Sequence, residues 1–183
     1  PNSTRRATEL LSKGIQFIGM GISGGEEGAR KGPALMPGGP KQAYELVAPI
    51  FEKCAAQVER TGPCVGYLGP IGSGNYVKMV HNGIEYGDMQ LIAEVYDVMK
   101  NILGMDNAQM ADQFAEWNKT ELNSYLIEIT EICLRKQDPL TGGYIVDCIL
   151  DKTGMKGTGL WTAKESAERA VAAPTIVAAL DSR

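Results

Sequence analysis

Within one short stretch, KMVHNGIEY, the chain gathers Lys78, its only histidine His81, Asn82, Glu85 and Tyr86. If the stretch is helical and Lys78 is set at zero, about 100° per residue puts His81 at about −60°, Asn82 at about +40°, Glu85 at about −20° and Tyr86 at about +80°. Four polar groups then share one face, while Met79, Val80 and Ile84 fall on other sides. The face carries a potential base, a potential acid and two side chains suited to binding hydroxyls. A solvated helix face with a Lys/Glu pair would show the same spacing, and spacing alone leaves both readings open.

Two glycine-flanked stretches add groups suited to anions. Ser23-Gly24-Gly25 offers a hydroxyl and backbone N–H donors, although Ser23 followed three residues later by Glu26 also reads as a capping box. Lys156-Gly157-Thr158-Gly159 offers an ammonium and a hydroxyl, and alone also reads as a solvated turn. Arg183 is a further cation, or simply a charged chain end. Cys54, Cys64, Cys133 and Cys148 show no CxxC spacing, and one histidine is too little to complete a zinc site, so no metal is expected.

The elements that must position these groups change character along the chain. A helix over 4–12 precedes the apolar run IQFIGMGI, of buried-strand character. SGGEEGARKGPALMPGGP reads as loop with one helical turn. KQAYELVAPIFEKCAAQ has helical periodicity, with Pro49 placed to kink or divide it, and 58–66 reads as a short strand and turn. From Gly69 onward one long helix is predicted to run through the polar face, followed by two helices within 108–136 and shorter ones at 161–170 and 174–183, the last with Pro174 in its first turn. Gly69, Gly72 and Gly74 ahead of the long helix mark a flexible linker, a close approach by another backbone or ring, or both. The predicted fold is mostly α: the C-terminal part of an α/β domain over 1–68, followed by the start of a large all-helical domain over 69–183.

Composition narrows the partners. Eighteen Lys plus Arg against 22 Asp plus Glu leave a net charge of −4, which argues against nucleic acid. No apolar stretch has the length of a signal or membrane segment, so the expected setting is cytoplasmic, with reduced thiols and no membrane partner. Twenty-two glycines exceed the usual share of about 7%, consistent with many tight turns.

GPIGSGNYVKMVHN resembles the G-x-x-G-x-G-x-x-x-K-x-x-x-N signature of the β-hydroxyacid dehydrogenases. KMVHNGIEYGDMQ, ISGGEEGARKGPALMPGG and MKGTGLWT narrow the resemblance to the 6-phosphogluconate dehydrogenase family within them, over nearly the whole chain. The resemblance implies a Rossmann-like first domain and oxidative decarboxylation of 6-phosphogluconate to ribulose 5-phosphate and CO2 with reduction of NADP, a pentose phosphate pathway reaction of gluconate use that needs no metal. Lys78 would be the general base and then acid, and Glu85 the acid that protonates carbon. Ser23, Gly24 and Gly25 would receive the carboxylate, His81 and Asn82 the hydroxyls, and Tyr86, Lys156, Thr158 and Arg183 the phosphate. A lysine is mostly protonated at neutral pH, so this role asks for partial burial or a cationic neighbour.

The resemblance has gaps. The G-x-G-x-x-G fingerprint that opens the family's first domain and the family's C-terminal helices and tail are absent, and the chain starts at Pro1, which suggests an internal piece that is inactive alone. Asn2 is the candidate on the coenzyme side, and Leu160 stands where many relatives carry a second lysine. A homodimer is implied. Two alternatives stay open on sequence alone: another β-hydroxyacid dehydrogenase acting on a smaller 3-hydroxy acid, and a non-catalytic helical dimerisation module.

Overall fold

Charge spacing and glycine placement account for much of the first part of the fold. A computed structural model describes residues 2–183. The chain packs as two compact units, one ending at Asn82 and the other starting at Gly83. The first unit opens with α1 (Asn2–Leu11) and continues with β1 (Gly19–Ser23), α2 (Gly25–Lys31), β2 (Ala34–Gly38) and α3 (Lys41–Cys54). The short strands β3 (Gln57–Val58) and β4 (Gly62–Pro63) form a hairpin, and the first turns of α4 (Ser73–Asp97) close the unit.

The stretch expected to be mostly loop folds more regularly than its composition suggests. β1 and β2 run antiparallel, with Gly19 opposite Gly38 and Ser23 opposite Ala34, and α2 connects them. α2 has Glu26 and Glu27 in its first turn and Arg30 and Lys31 in its last, the order its dipole favours, joined by Arg30–Glu26 (3.0 Å) and Lys31–Glu27 (2.7 Å) ion pairs. Pro37 sits within β2, where it has no N–H to donate, yet its carbonyl accepts from the Leu68 N–H at 3.0 Å. On the same edge the Leu35 N–H donates to Cys64 O at 2.9 Å. α3 runs undivided through Pro49.

The second unit is helical apart from one isolated bridge, Gln137 with Tyr144. α4 passes at Val98–Ile102 into a π-helical turn; α5 (Asn107–Trp117), α6 (Tyr125–Arg135), a 3-10 turn at Ile145–Cys148, α7 (Thr158–Glu168) and α8 (Pro174–Asp181) follow. Asp106 and Gln109 form a reciprocal capping box at α5, and the Ser124 hydroxyl accepts from the Ile127 N–H at the start of α6. Pro174 occupies the first turn of α8, where its missing N–H costs no intrahelical bond. One core gathers Met99, Met110, Ala111, Phe114 and Leu134, with Trp117 edge-on to Phe114 at 5.1 Å. A second joins Tyr86 with Ala179 and Leu180. Cys54, Cys64, Cys133 and Cys148 are free thiols, all exposed.

Candidate functional site

The start of α4 lies directly on the β1–β2 hairpin because the contact surfaces lack side chains. A Cβ on Gly74 would overlap the Met36 carbonyl oxygen, and one on Gly21 would overlap Lys78 Cβ. Of the two readings of the glycines ahead of α4, close backbone approach therefore holds at Gly74. The approach sets Lys78, one turn into the helix, beside Ser23 at the end of β1.

Lys78 Nζ donates to Ser23 Oγ at 3.0 Å and to Asn82 Oδ1 at 2.7 Å, and lies 3.5 Å from His81 Nδ1. His81 Nδ1 is also 3.2 Å from Asn82 Oδ1. An imidazole nitrogen either donates or accepts, so His81 Nδ1 serves Asn82 in one tautomer and Lys78 in the other. Lys78, His81 and Asn82 are half-buried, open enough to meet a solute yet held by their neighbours. The arrangement can hold a substrate hydroxyl against an amine and pass a proton between them. The Ser23 hydroxyl is engaged by Lys78 and not as a helix cap: Gly24 caps α2 without a side-chain hydrogen bond. Gly24 and Gly25 adopt φ of 142° and 58°, a turn that favours glycine at both positions.

In the second unit Glu85 is half-buried on α4, and Tyr86 is 7% exposed against Ala179, Leu180 and Leu160. The Arg183 guanidinium carbon lies 3.9 Å from the Tyr86 ring centroid, and Arg183 Nη1 donates to the Gly154 carbonyl at 2.9 Å. Gly154 belongs to the loop that carries Lys156, which is exposed. Thr158 starts α7 behind Gly157, which caps it with φ of 107°. Thr158 O accepts from the buried Thr162 hydroxyl at 3.0 Å. The structure thus brings Tyr86 and Arg183 into contact, and ties Arg183 to the loop before α7.

Asn2 is exposed at the start of α1, and the next residue, Ser3, donates through Oγ to Asn75 Oδ1 at 2.8 Å. Asn75 Nδ2 reaches Met20 O at 3.3 Å, so α1, β1 and α4 meet at a residue that the motif hid among its variable positions. Among the described residues no three His, Cys, Asp or Glu side chains converge as a metal would need. The largest electrostatic perturbation lies elsewhere in the second unit. Hydrogen bonds to Asp147 and then Tyr96 push Lys100 up to about 12, and Lys100 in turn holds the Asp147 carboxyl below its ordinary value. Lys100 Nζ is 2.6 Å from Asp147 Oδ1, and Asn107 Nδ2 donates to Asp147 Oδ2 at 2.6 Å, which fastens the π-helical turn to the 3-10 turn. An apolar groove of about 450 Å³ lies between Leu91, Val95, Val98, Leu103 and Trp117.

Comparison with known proteins covers the chain from end to end. The family model for the NAD binding domain of 6-phosphogluconate dehydrogenase matches residues 1–69, and that for the 6-phosphogluconate dehydrogenase C-terminal domain matches residues 74–183. Over 182 residues the chain is 61% identical to the decarboxylating 6-phosphogluconate dehydrogenase 1, chloroplastic, of Arabidopsis thaliana, covering 100% of this chain and 37% of that protein. It is 57% identical over 184 residues to the decarboxylating 6-phosphogluconate dehydrogenase of Lactococcus lactis subsp. cremoris, covering 100% of this chain and 39% of that one. The Plasmodium falciparum 6-phosphogluconate dehydrogenase, solved in apo form, with NADP+ and with 6-phosphogluconate, superposes with a TM-score of 0.94 at 57% identity, over 100% of this chain and 39% of that chain. The chain therefore spans well under half the length of the relatives it matches. Its mostly helical fold is the end of an NAD-binding, Rossmann-like domain followed by the start of a helical one.

Proposed function

This chain belongs to the 6-phosphogluconate dehydrogenase family, and on that premise we propose that it serves the NADP-dependent oxidation and decarboxylation of 6-phosphogluconate to ribulose 5-phosphate and CO2. The observation that carries the reading is the amine cluster of the first unit, where Lys78 faces Ser23, Asn82 and His81 within 3.5 Å. We assign residues 1–68 to the coenzyme-binding domain and 69–183 to the substrate and dimerisation domain. The ranges of the two family models, 1–69 and 74–183, support this division, and the Plasmodium falciparum relative, solved with NADP+ and with 6-phosphogluconate, supports the choice of coenzyme and substrate.

In this reading Ser23, Gly24 and Gly25 receive the carboxylate, and His81 and Asn82 bind hydroxyls. Lys78 Nζ takes the proton of the hydroxyl on C3 as that carbon is oxidised. It then returns a proton to the carbonyl oxygen while the C1–C2 bond breaks, CO2 leaves and the bonding pair forms an enediol. Glu85 protonates the enediol carbon. In the second unit Tyr86, Lys156, Thr158 and Arg183 hold the phosphate: charge-assisted contacts from lysine and arginine answer the trianion that a protein of net charge −4 would otherwise repel.

NADP, when bound, accepts the hydride. The described residues do not form a dinucleotide cradle by themselves: the strand pair is an antiparallel hairpin, the one G-x-G-x-x-G string, Gly19 to Gly24, runs along β1 of that hairpin, and Asn2 is the single coenzyme-side candidate. The 183-residue chain alone is therefore inactive in this reading. No helix of the described residues is long and apolar enough to cross a membrane. Four free thiols suit a reducing compartment such as the cytoplasm. Exposed Leu91, Val98 and Ile102 suit burial against a second copy, as in a homodimer.

The test exchanges these residues into the matching segment of the Lactococcus lactis enzyme and follows NADPH and CO2 on 6-phosphogluconate, with a simple 3-hydroxy acid alongside. Stoichiometric NADPH and CO2 on the phosphosugar alone is the expected outcome. Turnover of the simple acid alone moves the chain to the smaller-substrate dehydrogenases, and no turnover of either favours the dimerisation module.

A further inference from the structure

We propose that Gly159 is a positioning residue: its missing side chain sets the Tyr86 ring on which the Arg183 guanidinium rests. The proposal rests on the phosphate role given to Arg183 above, but its geometry stands independently. A Cβ added to Gly159 would overlap Tyr86 at Cε2 and Cδ2 and lie 3.0 Å from Cζ. The ring is also packed from α8, where Tyr86 meets fully buried Ala179 and Leu180. Packed against both helices, the ring must shift to admit an added methyl.

Arg183 inherits that confinement. Its guanidinium carbon is 3.9 Å from the ring centroid, and its Nη1 donates to Gly154 O at 2.9 Å, so ring and loop together fix where the cation sits. A shift of the ring moves the cation, and with it the hydrogen bond that fastens the Lys156 loop. Other close contacts seat both helices on α4: a Cβ on Gly83 would overlap the buried Thr162 of α7, and one on Gly87 would lie 3.3 Å from Thr175 of α8. Gly159 lies in the first turn of α7 and takes no left-handed conformation. Alanine there improves helix propensity, so any loss must come from the ring.

Two measurements test this. In the 183-residue chain labelled at arginine, the Arg183 Hδ signals should be shifted upfield by the ring beneath them, and Gly159→Ala should remove that shift. In the segment-exchange enzyme Gly159→Ala should raise KM for 6-phosphogluconate by about tenfold, weaken competitive inhibition by inorganic phosphate in parallel and leave kcat within about threefold. Tyr86→Leu should abolish the dependence: adding Gly159→Ala in that background should change neither KM nor the phosphate inhibition constant further.

Retention of the upfield shift in Gly159→Ala, or a full additional effect in the Tyr86→Leu background, overturns the proposal. A lost shift with unchanged KM, in an enzyme that turns over the phosphosugar, keeps the positioning role and removes the phosphate role of Arg183 instead. If Gly159→Ala does not fold, the double variant must fold as Tyr86→Leu does, and its failure to do so overturns the proposal as well.

Discussion

In the first unit Lys78 is placed by hydrogen bonds to Ser23 and Asn82, on a helix start that backbone contact holds against a hairpin. In the second unit Arg183 is placed by a ring face and a single backbone carbonyl, with apolar side chains behind the ring. The first arrangement is sensitive to the chemical identity of its members, because each donor or acceptor has few replacements. The second is sensitive to volume, because a stacked cation needs only a correctly placed plane. Each suits its proposed role, since proton transfer depends on which atom faces which, whereas phosphate capture depends on where positive charge is held.

Substitutions that remove function without disturbing shape, and others that do the reverse, sharpen this contrast. The largest effect is expected from Lys78→Met in the segment-exchange enzyme, where kcat should fall by about 10³-fold with KM for 6-phosphogluconate little changed. A fall below tenfold would remove the amine from the chemistry. Next is Gly74→Ala, which forces a methyl into the Met36 carbonyl. Thermal unfolding of the chain should show a loss of about 2–3 kcal/mol, or roughly 4–10 °C in Tm. Lys156→Ala should raise KM about tenfold, about 1.4 kcal/mol, without altering kcat, and an unchanged KM would take Lys156 out of the phosphate site.

The smallest effect is expected from Asp147→Asn, far from either cluster in role. Lys100 and Asp147 are each more than a third exposed, so solvent screening should hold the loss below about 1 kcal/mol. Its pH dependence has a definite sign. The lowered Asp147 carboxyl contributes stability above the ordinary aspartate range and loses it as pH falls through its own depressed value. The raised Lys100 contributes below the ordinary lysine value of 10.5 and loses it as pH rises through about 12. The stability difference between wild type and Asp147→Asn should therefore be flat from about pH 5 to 10 and shrink at both ends.

Periodicity carries far when one element does the positioning. α4 was legible as a long helix, and with it the shared face of Lys78, His81 and Asn82, because its polar groups recur at helical spacing. β2 was not, since ALMPG reads as a breaker sequence. The strand survives because it accepts through the Pro37 carbonyl on one edge and pairs with β1 on the other, so the missing N–H is not needed. α2 was legible only as a single helical turn, because a seven-residue helix with two glycines has little propensity, and its two ion pairs are local interactions that periodicity does not express. Gly159 sat inside a recognised motif, but what it excludes, the edge of a ring more than 70 positions earlier, is a tertiary fact.

The exposed thiols have a practical consequence. Cys54 and Cys64 belong to the first unit, Cys133 and Cys148 to the second, and none is a member of the amine cluster or of the arginine stack. Variants that keep one thiol per unit accept a pair of spin labels, and the distance between them can be read with and without 6-phosphogluconate. Ligand-dependent spacing of the units thus becomes measurable with every residue of both clusters left as nature placed it.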